Sequence, residues 1–241
     1  MGDPADYRPM MAPEDVERIR AWHERAYQEG RAEGATVQTF EYLGREIVVP
    51  PGVQPVVGMA GVLGHPVLDE VQPDDRVLDL GTGSGVNAVL AAAKATSVLA
   101  VDINPGAVEA ARANAERNGV ADRIVVRWSD VFSDVDDRFD LIIFDPPFRW
   151  FQPRDDFEMA SADPGYRGLT TFFEEAPAHL TLRGRMLVSF GTTGDIAYLQ
   201  HLIIKHEYHS EVVAHDHLVR DGWRVDYYTF RLKPSRRKDA R

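Results

Sequence analysis

A short run rich in glycine is the first candidate for binding chemistry. It reads DLGTGSG, directly after the apolar segment VLDL and directly before an alanine-rich stretch. Glycines at Gly81, Gly83 and Gly85 let the backbone turn tightly and come close to a ligand. Loops of this kind serve several classes of nucleotide site, so the spacing alone leaves the ligand class open. We expect a cofactor to contact Asp79, Gly81, Thr82, Gly83 and Gly85.

An acidic residue follows at the end of the next apolar segment. Asp102 closes SVLAVD and lies 17 residues beyond Gly85. In dinucleotide-binding folds a carboxylate near this position binds ribose hydroxyls. Its two oxygens can accept hydrogen bonds from two adjacent hydroxyls. We therefore expect Asp102 to bind a ribose, with its neighbour Ile103 also in contact with the cofactor.

The negative charge of Asp79 limits which nucleoside cofactors can bind at this loop. The loop is one residue shorter than the G-x-G-x-x-G pattern that holds a pyrophosphate at a helix N-terminus. A carboxylate two residues before the first glycine repels a pyrophosphate but attracts an ammonium group. These features indicate S-adenosylmethionine, which has a ribose and a free amino group but no phosphate. Asp130 and Val131, after a third apolar segment, are expected to meet the adenine through a hydrogen bond and an apolar wall.

The fourth motif is Asp145-Pro146-Pro147-Phe148, at the end of the apolar segment FDLIIFD. Two prolines restrict the backbone and remove two N–H donors, which leaves carbonyl oxygens as acceptors. An ionised aspartate also only accepts hydrogen bonds, and a phenylalanine ring offers a flat face to a planar group. Because this set suits a nitrogen that carries hydrogens, we interpret Asp145, Pro146, Pro147 and Phe148 as the catalytic site for an acceptor nitrogen.

Strands and helices alternate along the part of the chain that carries these motifs. Apolar segments predict strands at 77–80, 97–102, 123–128, 139–145 and 185–190. Helical patterns are expected over 85–95, 105–118, 169–179 and 194–206. Two further strands at 208–215 and 223–232 have a short connection, so we expect them to pair antiparallel.

This order predicts an α/β fold with a doubly wound, Rossmann-like sheet of seven mostly parallel strands and an antiparallel C-terminal hairpin. Ligands bind beyond the carboxyl ends of the strands in such sheets, and all four motifs fall at those ends. We expect residues 71–233 to form this domain and 234–241 to form a basic tail. Residues 1–70 are expected to form a small N-terminal extension, with a helix, a strand or hairpin and a second helix, that serves as a lid or in substrate recognition.

Four segments together resemble a known enzyme family. VLDLGTGSG, AVDINPGAVEAARANAERNGV, WSDVF and FDLIIFDPPF are similar to segments of class I S-adenosylmethionine-dependent methyltransferases. Within that family the chain resembles the N-methylating enzymes with an Asp/Asn-Pro-Pro-aromatic motif, in particular the release-factor glutamine N5-methyltransferases. The resemblance implies a cofactor site around the glycine loop, Asp102 on the ribose and Asp130 near the adenine. It also implies that Asp145, Pro146 and Phe148 meet the acceptor nitrogen.

The chemical class of the acceptor stays open at this point. Release-factor enzymes carry Asn-Pro-Pro-Tyr, whose amide both donates to and accepts from a glutamine side chain, whereas an ionised Asp145 only accepts. Asp-Pro-Pro-Phe looks more like enzymes that methylate exocyclic amines of nucleic-acid bases. We place a protein side-chain amide or amine first, a small-molecule amine or amino acid second, and an RNA or DNA amine third. A cofactor-binding scaffold without turnover is a further alternative.

Three segments outside the motifs add expectations of their own. Residues 149–168 are rich in charges and aromatics and are expected to form a substrate wall or lid, whose carboxylates suit a cationic or amine acceptor. Five histidines between His201 and His217 span a helix end and a strand, so we expect them to pack or to face solvent without binding a metal. The basic end of the chain is expected to be a solvated terminus, with RNA contact as the alternative.

Composition limits the classes of protein. With 27 Lys and Arg against 38 Asp and Glu, the net charge of −11 disfavours a protein that mainly coats duplex nucleic acid. The chain has no cysteine, which excludes disulfides, zinc-thiolate sites and a cysteine nucleophile. No apolar run approaches the length of a membrane span, and the first residues lack the features of a signal peptide. We expect a cytoplasmic enzyme.

Overall fold

The helices and strands are described by a computed structural model that covers residues 7–33, 36–55 and 61–235. The helices are α1 (Pro13–Glu33), α2 (Gly61–Glu70), α3 (Val86–Ala92), α4 (Pro105–Arg117), α5 (Asp156–Met159), α6 (Arg167–Glu175) and α7 (Ile196–Lys205). The strands are β1 (Gln38–Tyr42), β2 (Arg45–Val49), β3 (Arg76–Leu80), β4 (Ser97–Asp102), β5 (Ile124–Trp128), β6 (Phe139–Phe144), β7 (Leu180–Gly191), β8 (Tyr208–Arg220) and β9 (Trp223–Pro234). The start of the predicted N-terminal extension (1–6) and most of the basic tail (236–241) lie outside the described residues.

Strands β3 to β9 form a seven-stranded sheet in the order β5-β4-β3-β6-β7-β9-β8. Strands β3 to β7 run parallel to one another, and β9 pairs antiparallel with both β7 and β8. The predicted doubly wound sheet with an antiparallel C-terminal hairpin is therefore confirmed. The strand order reverses between β3 and β6, and ligand sites of such sheets lie beyond the carboxyl ends of the strands at that point.

The central strands are buried on both faces, which explains their unbroken apolar sequences. All six residues of β6 are buried. Because side chains alternate across a strand, Leu78 and Ile142 join the core beneath α6 and α7, whereas Val77 and Leu141 join the core beneath α2, α3 and α4. These two cores hold the strands rigidly, so the loops at their carboxyl ends have fixed starting points.

The predicted strand bounds differ from the structure mainly in β7 and β8. Strand β7 begins at Leu180 rather than at residue 185, and β8 continues to Arg220 rather than ending at 215. The two-residue turn Asp221–Gly222 has positive φ at both positions, 53° and 74°, which matches the twist of a long hairpin. Most of β8 is exposed, so its residues lack the apolar alternation by which a strand is recognised.

The N-terminal segment adds a two-stranded hairpin and two helices. Strands β1 and β2 pair antiparallel around Leu43 and Gly44, and the Asn114 side chain of α4 bonds both the N–H and the carbonyl of Val48. Helix α2 buries Val62, Leu63 and Val67 against the sheet layer. Within the described ranges, no helix is long and apolar enough to cross a membrane.

Candidate active site

The glycine-rich loop lies at the carboxyl end of β3, beside the point where the strand order reverses. Gly81, Gly83 and Gly85 have φ values of 70°, 55° and 85°, a backbone region that residues with a side chain rarely adopt. The N–H groups of Gly81 and Thr82 donate to the Val101 carbonyl of the neighbouring β4. The loop is therefore tied to two strands and has a defined shape before any ligand binds.

Asp79 is buried beneath this loop and helps to hold its shape. The Thr82 hydroxyl donates to its Oδ2 at 2.5 Å, and the Ala88 N–H donates to the same oxygen at 3.0 Å. Ala88 lies in the first turn of α3, where N–H groups have no helical acceptor, so Asp79 also satisfies that helix. The described residues place no donor on Oδ1, which leaves this oxygen for a ligand.

Asp102 shapes the same loop from the end of β4. Its Oδ2 accepts from the Gly83 N–H and its Oδ1 accepts from the Asn104 N–H, both at 2.8 Å. Burial raises the pKa of this carboxyl, although the two N–H groups act in the opposite direction. Each oxygen has a second lone pair, so the carboxylate can still accept from a pair of hydroxyls.

Asp145 directly follows Phe144, the last residue of β6. The residue is exposed, yet the protein encloses its carboxyl enough that burial raises the pKa to about 6, against a hydrogen bond from Ser189 that lowers it. A carboxyl that is accessible to solvent and yet surrounded by protein is what we expect in a cleft. This is the geometry that an acceptor-binding carboxylate requires.

The rest of the Asp-Pro-Pro-Phe motif is held by aromatic packing. The Phe148 ring lies 5.1 Å from the ring of Phe190 and 6.1 Å from that of Tyr227, measured between centroids. Its carbonyl accepts from the Tyr166 hydroxyl at 2.6 Å. Pro146 is buried, whereas Pro147 and Phe148 are only half-buried. The motif is thus a rigid segment whose Pro147 and Phe148 side chains remain partly accessible to a ligand.

The negative charges of Asp102 and Asp145 both act on the buried carboxyl of Asp79. Burial raises the pKa of Asp79 to about 7, the Thr82 and Ala88 hydrogen bonds lower it, and repulsion from Asp102 and Asp145 raises it further. No described cation is among the groups that shift these three carboxyls. Carboxylates whose charge no described cation stabilises favour a cationic ligand.

The predicted adenine contacts lie at the ends of β4 and β5. Ile103 is 48% exposed, so its side chain is available to a ligand. Val131 has a φ of 51°, and the adjacent Asp130 forms an ion pair with Arg167 at 2.9 Å. This pair is largely solvent-exposed and contributes little to stability. The adenine role of Asp130 and Val131 stays a prediction, with Arg167 as a neighbour that the sequence pattern did not indicate.

Tyr42 is a site residue that sequence reasoning missed. It comes from β1, far from the motifs in sequence, and its Oη packs directly on Gly64 of α2. Burial raises its pKa to about 12, and the charge of Asp145 raises it as well. A hydrogen bond from the Gly64 backbone N–H to this hydroxyl acts in the opposite direction and lowers the pKa. The N-terminal hairpin therefore brings a polar group toward Asp145. The only sequence signal for this contact is that Tyr42 is an aromatic residue in the alternating pattern of β1.

Arg149 is a second residue that the motif analysis did not single out. Its guanidinium carbon lies 5.9 Å from the centroid of the Phe148 ring. Its Nε is buried and has no hydrogen-bond partner among the described residues. The sequence showed only a charged residue after the acceptor motif, at the start of a segment taken for a wall or lid.

The segment 149–168 is fastened to α1 by its carboxylates. The Glu158 carboxylate lies 2.6 Å from His23 Nε2. It also accepts hydrogen bonds from Nε and a terminal nitrogen of the Arg154 guanidinium. Asp155 accepts from the Tyr27 hydroxyl at 2.6 Å. These two acidic groups are therefore occupied by contacts with the protein, and the expectation that they face a cationic acceptor is not supported by their partners.

Two other features lie away from these residues. A depression of about 470 Å³ is lined by Arg138, Asp140, Thr181, Leu182 and Arg183, at the amino ends of β6 and β7. That is the opposite edge of the sheet from the motifs. Among the described residues, no group of three or more acidic or histidine side chains is arranged to hold a metal ion. His215 instead pairs with Asp226 at 2.8 Å and stacks on Tyr228.

Comparison with known proteins gives a family model that matches most of the sheet. The model of the methyltransferase small domain matches residues 65–202. The release factor glutamine methyltransferase of Cereibacter sphaeroides is 37% identical over 138 residues, which cover 50% of this chain and 48% of that protein. The ribosomal RNA small subunit methyltransferase C of Chromohalobacter salexigens is 34% identical over 143 residues, covering 53% and 39% respectively.

A solved structure supports the same fold. The ribosomal protein L11 methylase of Lactobacillus delbrueckii subsp. bulgaricus superposes with a TM-score of 0.55 at 21% identity, covering 76% of this chain and 82% of that one. At this identity the likeness concerns the fold alone. This chain spans about half the length of the first of these relatives and less of the second.

Proposed function

This chain belongs to the methyltransferase small domain family, and we propose that it transfers a methyl group from S-adenosylmethionine to a nitrogen of a protein side chain. The observation that carries the proposal is Asp145, an accessible carboxylate on the floor of a cleft, followed by two prolines and an aromatic ring.

The cofactor residues fit S-adenosylmethionine by charge. Asp79 and the glycine loop would hold the amino-acid part, Asp102 would accept from the ribose hydroxyls, and Ile103, Asp130 and Val131 would meet the adenine. The three carboxylates without a described cation suit the ammonium and sulfonium charges. When bound, the cofactor supplies a methyl group on a sulfonium, which is an activated leaving group.

The acceptor residues act by positioning and by charge. Asp145 and the Pro146 carbonyl accept hydrogen bonds from the acceptor nitrogen, which fixes the direction of its lone pair. As positive charge grows on that nitrogen, an ionised Asp145 stabilises it. The Phe148 ring, held by Phe190 and Tyr227, supports the plane of the acceptor. The proton can leave to solvent afterwards, so the chain needs no strong general base.

A protein acceptor is supported by the relative named a release factor glutamine methyltransferase and by the acidic balance of the chain. The relative named an rRNA methyltransferase, and the aspartate in place of asparagine, favour a base amine as the alternative. Repulsion between a net charge of −11 and a phosphate backbone weighs against that alternative.

The experiment incubates the purified protein with methyl-labelled S-adenosylmethionine and a cell extract, then separates protein, nucleic acid and small molecules. We expect label in the protein fraction on a side-chain nitrogen. The Asp145→Ala variant is the matched control, because it should bind S-adenosylhomocysteine normally but lose labelling. Label in nucleic acid would move the acceptor to a base amine, and undiminished labelling by Asp145→Ala would refute the acceptor site.

A further inference from the structure

Arg149 is a cation for which the described residues supply no anion. No described carboxylate forms an ion pair with it, and its buried Nε has no hydrogen-bond partner. Burial lowers its pKa, and the acids that act on it are the phenols of Tyr227 and Tyr166. The residue as a whole is nevertheless half-buried rather than sealed. The residue therefore keeps some solvent-exposed surface.

Arg185 shows how this protein treats an arginine that serves only the fold. It is 8% exposed, and its guanidinium donates to Asp75 at 2.8 Å and to the Asp140 carbonyl at 2.9 Å. Glu70 adds a further carboxylate. A buried guanidinium normally has such partners, because an unpaired charge away from water is costly. Arg149 lacks them.

The two phenols near Arg149 are neutral and do not compensate its charge. The Tyr166 hydroxyl donates to the Phe148 carbonyl and accepts from the Asp195 N–H, so its hydrogen and one of its lone pairs are already used. Burial raises the pKa of Tyr166 and of Tyr227. Neither group carries negative charge at neutral pH, so the partner of Arg149 has to come from outside the described residues.

Arg149 and Asp145 border the same region of the sheet edge. Asp145 accepts from Ser189 of β7. Gly191, two residues further along that strand and about 7 Å away on the same face, packs against both Tyr227 and Phe148. The Arg149 guanidinium lies over this Phe148 ring. Phe148 and the end of β7 therefore link the surroundings of Asp145 to those of Arg149.

We propose that the methyl acceptor carries a carboxylate near the methylated nitrogen and that Arg149 binds this carboxylate. The inference rests on the proposed function and names the substrate class for it: a glutamine-like group with an adjacent free or acidic carboxylate. A planar guanidinium binds a carboxylate through two parallel hydrogen bonds. A single carboxylate fits one cation better than a phosphate chain does, since the rest of the cleft is acidic.

The test uses two probes that differ only in the proposed group. N-acetylglutamine has a side-chain amide and a free carboxylate, and N-acetylglutaminamide replaces that carboxylate with a neutral amide. Binding of each is measured by calorimetry with S-adenosylhomocysteine at saturation. We expect the carboxylate probe to bind roughly ten- to a hundredfold more tightly, the range for hydrogen bonds to charged groups.

Two variants assign the preference to Arg149. Arg149→Met should abolish it. Arg20→Met, which removes an exposed arginine stacked 5.1 Å from the Phe151 centroid, should retain it. Because Arg149→Met removes an unpaired charge, the melting temperature of this variant should equal or exceed that of the parent protein. The melting temperature of Arg185→Met should fall, because that substitution removes the guanidinium that pairs with the buried Asp75. If Arg149→Met melts at the same temperature as the parent protein, its loss of preference for the carboxylate probe cannot come from unfolding.

Three outcomes would overturn the proposal. One is equal binding, or no binding, of the two probes by the parent protein. Another is a preference that survives Arg149→Met, and the third is inorganic phosphate binding as tightly as N-acetylglutamine at equal ionic strength. Because these measurements involve no methyl transfer, a failure of the extract-labelling experiment leaves them readable, and their failure leaves the labelling result intact.

Discussion

At the scale of single residues, Asp145 is the group on which the chemistry depends. It combines two properties that oppose each other, since the protein encloses its carboxyl while the cleft keeps it accessible. Burial disfavours its charged form, whereas the proposed role requires that form. Its ionisation should therefore be visible in the pH dependence of the reaction.

We predict that the rate of methyl transfer rises with pH through about 6, the pKa of Asp145. The sign follows because only the ionised carboxylate can accept from the nitrogen without also donating. Asp145→Asn should lower the maximal rate about a hundredfold or more and remove this acid limb. Initial rates between pH 5 and 8 at saturating cofactor provide the measurement. A limb that persists in Asp145→Asn would assign it to another group.

At the scale of elements, Gly85 controls how the loop passes into α3. A Cβ placed there would lie 2.8 Å from the Ala111 Cα of α4, and the φ of 85° is itself unfavourable for other residues. The close approach of α3 and α4 and the shape of the loop thus depend on one missing methyl group. Gly119 provides a comparison, because its φ of 67° is similar but nothing lies within 4 Å of its Cβ position.

We predict that Gly119→Ala costs about 1 kcal/mol of unfolding free energy through its backbone conformation alone. Gly85→Ala should cost at least about twice as much, since Ala111 backbone must also move, and it should weaken cofactor binding. Urea unfolding and S-adenosylhomocysteine titration of both variants test this. Equal losses in the two variants would mean that contact with Ala111 has no energetic effect.

Helix α1 and the segment 149–168 form a second coupled unit. Burial raises the pKa of Glu158, but the hydrogen bonds from Arg154 and His23 outweigh it and bring the pKa to about 2. Burial lowers the pKa of His23, and the nearby charge of Arg149 acts in the same direction. The two pKa shifts favour an ionised Glu158 and a neutral His23, so the contact between these residues is fully formed above neutral pH. His23 loses its contribution as the pH falls below about 6.5, and Glu158 loses its own as the pH falls from about 4.5 through about 2.

We predict that Glu158→Gln destabilises the protein by about 1–3 kcal/mol, because it weakens the hydrogen bonds that this buried carboxylate accepts from Arg154 and His23. It should also speed proteolysis in α1. Glu24→Gln is the matched control, since Glu24 is an exposed partner of the same Arg154 and should leave both measurements unchanged. Thermal melting and limited trypsin digestion at pH 7.5 distinguish the two. Similar melting and digestion of both variants would mean that the segment holds α1 by apolar contact alone.

At the scale of the whole molecule, the acidic cleft links pH, stability and cofactor binding. The pKa values of Asp79 and Asp145 are raised to about 7 and about 6. The folded state therefore keeps protons that the unfolded chain has already released. These two groups lower the stability of the ligand-free protein as the pH rises from about 4 to about 7. A bound cation would favour their ionised forms and offset this loss.

We predict that S-adenosylmethionine binding releases protons near pH 6.5 and tightens between pH 6 and 8. Calorimetry in buffers with different ionisation enthalpies measures the number released. The Asp79→Asn variant should release fewer protons when it binds S-adenosylmethionine. Its affinity for the cofactor should also vary less with pH. A proton count of zero for the parent protein would contradict a cationic ligand beside these carboxylates.

The sequence by itself was sufficient for the sheet and for its motifs. Buried parallel strands need unbroken apolar runs, so β3, β4 and β6 were visible as VLDL, SVLAVD and FDLIIF. Glycines permit tight turns and prolines restrict the backbone, so the cofactor loop and the Asp-Pro-Pro-Phe motif were recognisable from residue type and spacing. Strand ends were less visible in β8, where exposed side chains carry no periodic apolar signal.

Tertiary structure alone decided which distant residues join the cleft and which charges remain free. Tyr42 reaches Asp145 from a separate hairpin, and no local pattern specifies that contact. The carboxylates of Asp155 and Glu158 bind α1, whereas Arg149 has no described partner. Charged residues look alike in a sequence because their propensities are similar, and only packing determines which of them is neutralised. The proposal for the acceptor carboxylate depends on that difference.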